Sequence, residues 1–231
     1  MFNLERQNEI LRIMLKSGSV STKELAKVLY ASEPTVRRDL TELEKQGKIL
    51  RTHGGAVLRM AADSEIPLRF REDQNSDAKR ILTQKAAEFI SDGNIIFMDA
   101  SSTVSHLVDY LEKFNDLVVI TNSPKASMRL GEKGIKNYCT GGLLLMHSVA
   151  YAGSEAERFI ANINADICFF SSRGYMENGM ISDSSVEEAS VRKAMLKNSA
   201  KSYYLCDNSK KNTKYIYNIC STQDVTDIIT D

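Results

Sequence analysis

The chain has 231 residues, enough for two modest domains or one large one, and carries 30 basic and 30 acidic residues. A net charge of zero argues against a protein that binds nucleic acid through bulk positive charge alone. The charges are unevenly distributed, because residues 1–60 hold 11 lysines and arginines against 7 acidic residues, whereas the rest holds 19 against 23. This asymmetry favours a basic nucleic-acid reader joined to a mildly acidic body.

The cysteines and histidines do not have the spacing of a metal site or a disulfide framework. Cys139, Cys168, Cys206 and Cys220 are far apart and lie in or beside apolar runs, which is typical of buried thiols. We therefore expect no metal and no cofactor. The amino terminus is charged, and no apolar run approaches the ~20 residues that span a bilayer. We expect a cytoplasmic protein without a membrane partner.

Residues 4–47 show the pattern of three helices separated by tight turns. Leu4–Lys16 forms the first helix, and the second begins at Ser21, which has the capping-box spacing to Glu24. The third begins with Ser32 as its N-cap and ends at Gly47. Its apolar stripe consists of Val36, Leu40 and Leu43. A short helix, a turn and a helix with exposed arginines is the arrangement of a helix-turn-helix motif.

The segment after the third helix predicts two short strands joined at Gly54-Gly55, the shape of a β-wing. Hydroxyl and guanidinium groups at the start of a helix suit contact with phosphates and base edges in a major groove. The residues that we expect to contact DNA are Thr22, Ser32, Thr35, Arg37, Arg38, Arg51 and His53. The alternatives are that the two adjacent arginines are ordinary surface charges and that His53 is only a turn residue.

The second half of the chain alternates apolar β-type runs with helical segments, which indicates an α/β fold with a mostly parallel sheet. We predict a DNA-binding domain at 1–58, a charged linker at 59–80 and a larger domain at 81–231 that opens with a helix over 81–90. The predicted strands are Ile95–Met98, Leu117–Ile120, Lys136–Cys139, Asp166–Phe170, Ser202–Cys206 and Tyr215–Ile219.

Short polar residues follow several of these strands, where ligands of parallel sheets usually bind. The segment Asp99–Thr103 offers three hydroxyls and free amides at the start of a predicted helix, a suitable cradle for phosphate. Helix capping by Ser101 or Ser102 is the alternative. The residues expected to contact a ligand are Asp99, Ser101, Ser102, Thr103, Asn122, Ser123, Gly141, Gly142, Arg173, Asp183, Glu187 and Lys210. For Asp183 a plain N-cap is the default, and accepting sugar hydroxyls together with Glu187 or Glu188 is the alternative; Lys210 could be an ordinary surface lysine.

The segment STKELAKVLYASEPTVRRDLTELEKQGKILRTHGGAV resembles the DNA-binding domain of the DeoR-type family of bacterial transcriptional regulators. The resemblance rests on the VRRDL core, the LEKQGKI step and the RTHGGA wing. It implies a winged helix-turn-helix that binds double-stranded operator DNA. Regulators of this type commonly repress operons for the use of sugars or nucleosides.

The second half resembles the effector domain of the same family through DGNIIFMDASST, VVITNS, the TGG turn, EEASVRKAM and CDNSKK. That domain is similar in fold to ribose-5-phosphate isomerase. The resemblance implies that Ser101–Thr103, Asn122-Ser123, Gly141-Gly142 and Lys210 surround a phosphorylated sugar. One departure is Ser101, which stands where the family usually has glycine and which would narrow a phosphate site.

These features favour a ligand-responsive transcription factor, a repressor of a carbohydrate operon that acts as a homo-oligomer, dimer or tetramer, because one short reader gives little specificity. Two alternatives stay open. One is an enzyme acting on sugar phosphates, with Glu187 or Asp183 as general base and Lys210 as electrostatic helper. The other is a DNA-binding protein whose second domain only oligomerises.

Overall fold

The computed structural model describes residues 2–52, 54–58 and 68–231, which fall into two compact units, one within residues 1–64 and one within residues 65–231. The smaller unit contains three helices and three short strands among its described residues. Its elements are α1 (Asn3–Ser17), β1 (Ser19–Ser21), α2 (Thr22–Val28), α3 (Glu33–Lys45), β2 (Ile49–Arg51) and β3 (Gly55–Leu58).

The smaller unit is a winged helix-turn-helix. Strand β3 lies between β1 and β2 and is antiparallel to both. Gly55 is required at the close approach of β3 to β1, because a Cβ there would collide with the carbonyl oxygen of Val20. The helices bury apolar residues spaced three and four apart, and a partly buried ion pair joins Arg6 of α1 to Asp39 of α3.

The larger unit is built on a parallel sheet of six strands within the described residues, in the order β14-β12-β9-β4-β5-β6. Its helices are α4 (Leu68–Asp73), α5 (Ser76–Ala86), α6 (Pro124–Glu132), α7 (Ser154–Ala161) and α8 (Val186–Lys197), with a long 3₁₀ helix at Val104–Lys113. The strands of the sheet are β4 (Ile95–Met98), β5 (Val118–Thr121), β6 (Lys136–Cys139), β9 (Ala165–Phe170), β12 (Ser199–Cys206) and β14 (Asp227–Thr230).

Smaller strands flank this sheet. They are β7 (Leu143–Leu145), β8 (Ala150–Ala152), β10 (Gly174–Tyr175), β11 (Met180–Asp183) and β13 (Tyr217–Ser221). Both faces of the parallel sheet are covered: one apolar cluster includes residues of α5, α6 and the long 3₁₀ helix, and the other includes residues of α7 and α8. Burial on both faces explains why the inner strands β4 and β5 are nearly continuous apolar runs.

The predicted fold class is confirmed, with a small winged helix-turn-helix followed by a larger α/β unit. Several predicted elements are present with different bounds, pairing or helix type. The strand expected at Tyr215–Ile219 is β13, which pairs antiparallel with β11 outside the parallel sheet. The helix expected over 81–90 is α5, which begins at Ser76 and ends at Ala86. The helix expected after Thr103 has 3₁₀ geometry.

The predicted linker, 59–80, can be compared with the structure only in part. Residues 59–67 lie outside the described residues, whereas residues 68–80 include α4 and the start of α5 and belong to the larger unit. The exact domain limits stay a prediction.

Candidate functional site

Helix α3 presents its polar amino-terminal end to solvent. The Ser32 hydroxyl is the N-cap and accepts a hydrogen bond from the Thr35 amide at 3.4 Å, and Pro34 occupies the first turn, where its missing N–H costs little. Val36, Leu40 and Leu43 are buried on the opposite side. The helix therefore anchors its apolar stripe in the core and leaves its polar residues available.

Arg37 and Arg38 are both exposed. Arg37 forms a 3.3 Å ion pair with Glu33, but its side chain keeps 61% of its exposure, so the pair is weak and easily exchanged for a phosphate. Neither arginine is packed into the core. Tyr30, in the turn before α3, is almost fully exposed with a positive φ of 49°, an uncommon conformation that sequence patterns did not single out.

The wing is tied to α3 by Arg51. Its amide donates to Glu44 Oε1 at 2.9 Å and its guanidinium to Thr41 Oγ1 at 3.0 Å, so this residue orients the wing as well as carrying an exposed charge. Thr22, also expected to contact DNA, is buried, and its amide donates to the Gly54 carbonyl. His53 lies outside the described residues.

A cavity of about 190 Å³ lies in the larger unit, at the carboxyl ends of β4, β9 and β12. Its position follows from the sheet, because the loops after adjacent parallel strands meet at one edge. The lining residues are Arg71, Gln74, Asn75, Lys79, Ser101, Ser102, Thr103, Ser172, Arg173, Asp183, Arg192, Asp207, Ser209, Lys210, Thr213 and Tyr215.

One part of the cavity combines an ammonium group with hydroxyls. Lys210 Nζ donates to Ser171 Oγ at 2.6 Å and to Thr103 Oγ1 at 3.3 Å, and it lies 3.5 Å from Asp207 Oδ2. Burial lowers the pKa of Lys210, although Asp207 opposes the effect. A partly desolvated ammonium beside hydroxyl groups is a suitable site for an anionic ligand oxygen.

A second lysine faces the same region from α5. Lys79 is buried, and its ammonium donates to the backbone carbonyl of Arg71. Burial and the neighbouring charge of Lys210 lower the pKa of Lys79 to about 8. Two lysines with lowered pKa values in one small cavity repel each other, and a bound anion would offset that repulsion.

The loop after β4 is fixed by Asp99 and Ser101. Ser101 donates its hydroxyl to Asp99 Oδ1 at 2.6 Å and accepts from the Val104 amide at 3.1 Å. The Ser101 hydroxyl therefore satisfies the first amide of the 3₁₀ helix, whose N-cap is Thr103, and Ser101 also lines the cavity.

A buried arginine in the wall of the cavity joins three carboxylates. Arg192 donates to Asp99 Oδ2 at 2.7 Å, to Asp183 Oδ2 at 2.9 Å and to Glu188 Oε2 at 2.9 Å. Burial alone would lower the pKa of Arg192, but the three carboxylates raise it overall. Burial alone would raise the pKa of Glu188, but His147 and the nearby arginines hold it well below its usual value.

The cavity brings together six of the twelve residues predicted to contact a ligand, with Asp99 directly behind them: Ser101, Ser102, Thr103, Arg173, Asp183 and Lys210. The others lie elsewhere. Asn122 bonds the Tyr151 carbonyl at 2.9 Å, Ser123 caps α6, Glu187 is an exposed residue that accepts from Ser185, and Gly141-Gly142 follow β6. Their role as ligand contacts stays a prediction.

Sheet order explains this division. The strands before Asn122 and Gly141 are β5 and β6, on the far side of β4 from β9 and β12. Because neighbouring strands are about 4.8 Å apart, β6 is about 10 Å from β4. Arg71, Lys79, Arg192 and Asp207 line the cavity but were not predicted. Basic residues on helices look like surface charges, and only the fold shows that Lys79 and Arg192 are buried.

Sequence comparisons match both units to family models. The DeoR-like helix-turn-helix domain matches residues 6–61, and the DeoR C terminal sensor domain matches residues 74–231. The chain belongs to the DeoR family of transcriptional regulators. It is a DNA-binding regulator, and the winged helix-turn-helix is its DNA-binding unit.

Relatives of this DeoR-family regulator match it over nearly its whole length. The HTH-type transcriptional regulator YulB of Bacillus subtilis is 37% identical, over 100% of this chain and 90% of the relative. The L-fucose operon activator of Escherichia coli is 34% identical, over 98% and 94%. The lactose phosphotransferase system repressor of Staphylococcus epidermidis is 30% identical, over 100% and 93%.

Solved structures resemble the DeoR-family sensor unit in fold alone. A D-ribose-5-phosphate isomerase complex with phospho-erythronic acid is 16% identical, covers 59% of this chain and 54% of that chain, and has a TM-score of 0.44. The eIF2B delta subunit of Chaetomium thermophilum is 18% identical, covers 68% and 56%, and has a TM-score of 0.50. Within the described residues, no helix is long and apolar enough to cross a membrane.

Proposed function

We propose that this DeoR-family regulator represses a carbohydrate operon and that a phosphorylated sugar in the cavity of the larger unit controls its affinity for operator DNA. The observation that carries the proposal is that Lys79 and Lys210 line the same cavity as Ser101–Thr103, where Lys210 bonds the Thr103 hydroxyl, at the carboxyl ends of three strands. Ammonium groups, hydroxyls and backbone amides are the groups that bind a phosphate dianion.

The rest of the cavity suits the sugar. Arg71, Arg173 and Arg192 supply donors, and Asp183 and Asp207 supply acceptors, so both roles of a sugar hydroxyl can be satisfied. Relatives named for the lactose phosphotransferase system and the L-fucose operon support a carbohydrate signal. Repression is the sense that we propose, although the second of these relatives is named an activator.

On the DNA side, we propose that Ser32, Thr35, Arg37 and Arg38 contact the operator from α3 and that Arg51 contacts it from the wing. The exposure of Ser32, Arg37 and Arg38 at the amino-terminal end of α3, with Thr35 half-buried beside them, supports this assignment, and Arg51 is exposed on the wing. A single reader of this size covers one half-site, so we propose that the protein acts in the cytoplasm as a homo-oligomer. The domain limits proposed are 1–58 and 81–231, with 59–80 between them.

Calorimetry of the purified full chain tests the ligand class. Phosphorylated aldoses and ketoses are titrated beside the same sugars without phosphate, and each is repeated with Lys210→Met. We expect at least one sugar phosphate to bind, its unphosphorylated counterpart to bind at least about tenfold more weakly, and Lys210→Met to remove that difference. Binding by no sugar phosphate, or equal binding of both forms, would contradict the proposal.

A mobility shift tests the DNA side with the DNA upstream of the protein's own operon. We expect a specific complex with this DNA that persists against an excess of unrelated duplex. An equal affinity for both duplexes would contradict the assignment as an operon repressor.

A further inference from the structure

Helix α4 is the first described element after residues 59–67, the stretch of sequence that connects it to the DNA-binding unit. It contributes Arg71 to the wall of the ligand cavity. No other helix of the described sensor unit lies so near that stretch in the sequence. One short helix therefore both lines the ligand cavity and directly follows the connecting stretch of sequence.

Outside the cavity, the described side chains of α4 contact the rest of the unit through Leu68 and Glu72. The Leu68 amide donates to the His147 carbonyl at 2.7 Å, and the Leu68 side chain is buried. Glu72 accepts two bonds from Lys125 of α6, at 2.6 and 2.7 Å, in a partly exposed pair that contributes little to docking. The contacts of α4 inside the cavity are the ones that a bound ligand would change.

Within the cavity, α4 is held among charges of both signs. The Arg71 carbonyl accepts from the Lys79 ammonium, and the Arg71 guanidinium interacts with Arg173, Arg192, Asp183 and Glu188. Burial lowers the pKa of Arg71, and the charge of Arg173 lowers it further. The charged form of the guanidinium is therefore less favoured here than in water. A ligand anion beside it would offset this loss of free energy.

We propose that α4 is the ligand-responsive element of the sensor unit: a ligand with an anionic group within reach of Arg71 stabilises the docked position of α4, and α4 directly follows the stretch of sequence that comes from the DNA-binding unit. This inference rests on the proposed function. It adds the element of the sensor unit that responds when a ligand occupies the cavity. The ligand shifts α4 only as far as it binds the docked state more tightly than the undocked one.

Hydrogen–deuterium exchange of the full chain tests this route, with inorganic phosphate, ribose 5-phosphate and galactose 6-phosphate as probes. We expect at least one probe to slow exchange about fivefold or more in residues 68–73, together with slower exchange in the loops 101–103 and 207–210. Slower exchange in the loops with none in residues 68–73 would overturn this inference and leave the proposed function standing. No change in any segment with any probe would overturn both.

Two neighbouring substitutions separate the cavity contact from the surface contact. In Arg71→Gln we expect the probe to protect the loops but no longer α4. Glu72→Gln, the matched control, breaks the pair with Lys125 and leaves the cavity intact, so the response of α4 should persist. The reverse pattern, with the response kept in Arg71→Gln and lost in Glu72→Gln, would show that α4 does not sense the ligand through the cavity.

Discussion

Lys79 shows how burial creates a sensitive charge from an ordinary residue. In the sequence it is one lysine among many on a polar helix face. In the structure it is buried close to Lys210, and burial together with that second charge lowers the pKa of Lys79 to about 8. Because the pKa of Lys79 lies below the unfolded value of 10.5, its charge destabilises the ligand-free fold at neutral pH. That cost diminishes as pH rises from 8 toward 10.5.

This shift predicts a pH dependence of ligand binding. The affinity for a sugar phosphate should fall as pH rises through about 8, since Lys79 loses its proton while the phosphate stays dianionic. At pH 8 binding should take up protons, which calorimetry in two buffers of different ionisation enthalpy measures. Lys79→Met should bind more weakly at pH 7 and show a flatter profile between pH 7 and 9. An identical profile in both proteins would contradict the assignment of Lys79 to the anion site.

Arg192 is a buried charge on which three buried carboxylates depend for their ion pairs. Replacing it with leucine would leave Asp99, Asp183 and Glu188 without their shared guanidinium, so Arg192→Leu should lower the free energy of unfolding by about 3–5 kcal/mol. Urea denaturation measures this change. Lys193→Leu, at the exposed neighbouring position, is the control and should change it by less than about 1 kcal/mol. Equal effects of the two substitutions would contradict the central role of Arg192.

The lowered pKa of Glu188 predicts how the stability of the larger unit changes with pH. A carboxylate whose folded pKa lies below its unfolded value of 4.5 stabilises the fold above that pH, and the stabilisation is lost as pH falls below it. We expect the larger unit to lose stability as pH falls below about 4.5. In Glu188→Gln, the free energy of unfolding should fall less steeply with pH over this range, because the carboxylate that takes up a proton is absent.

In the proposed function, DNA recognition depends on helix α3. Arg37→Ala combined with Arg38→Ala should weaken operator binding at least about tenfold and make the slope of log affinity against log salt less steep by about 2, because two phosphate contacts are lost. Arg158→Ala with Lys201→Ala removes the same charge from exposed positions of the other unit and serves as the control. Retained operator affinity in the α3 variant, with unchanged folding, would remove these arginines from the interface.

Elements with strong local signals could be predicted from the sequence, and those that depend on pairing could not. The capped helix at Ser32 and the strand at Ile95–Met98 are determined by neighbouring residues, and their predicted positions agree with the structure. The strand at β13 was assigned to the wrong sheet because an apolar run does not identify its partner. Helix α4 was counted as linker because its six residues follow Pro67 in a highly charged stretch.

At the scale of the whole molecule, the candidate site was predictable in type but only partly in membership. Polar residues after strands predicted a strand-end cavity, and Ser101, Asp183 and Lys210 are found there. Which strand ends share the cavity depends on sheet order, a property of the complete fold, so the loops after β5 and β6 could not be separated from those after β4 and β9. The DNA-binding half needed no such information, since its motif is local.

One chain carries a DNA-binding unit and a sensor unit, and we propose that ligand binding in the sensor unit changes the affinity of the DNA-binding unit for its operator. The direct measurement is the affinity of the full chain for operator DNA with and without the sugar phosphate that calorimetry selects. We predict a change of about 5- to 150-fold, corresponding to a coupling of about 1–3 kcal/mol, and no change in Lys210→Met, which should still bind the operator. An operator affinity that is unaffected by a sugar phosphate known to occupy the cavity would contradict the account.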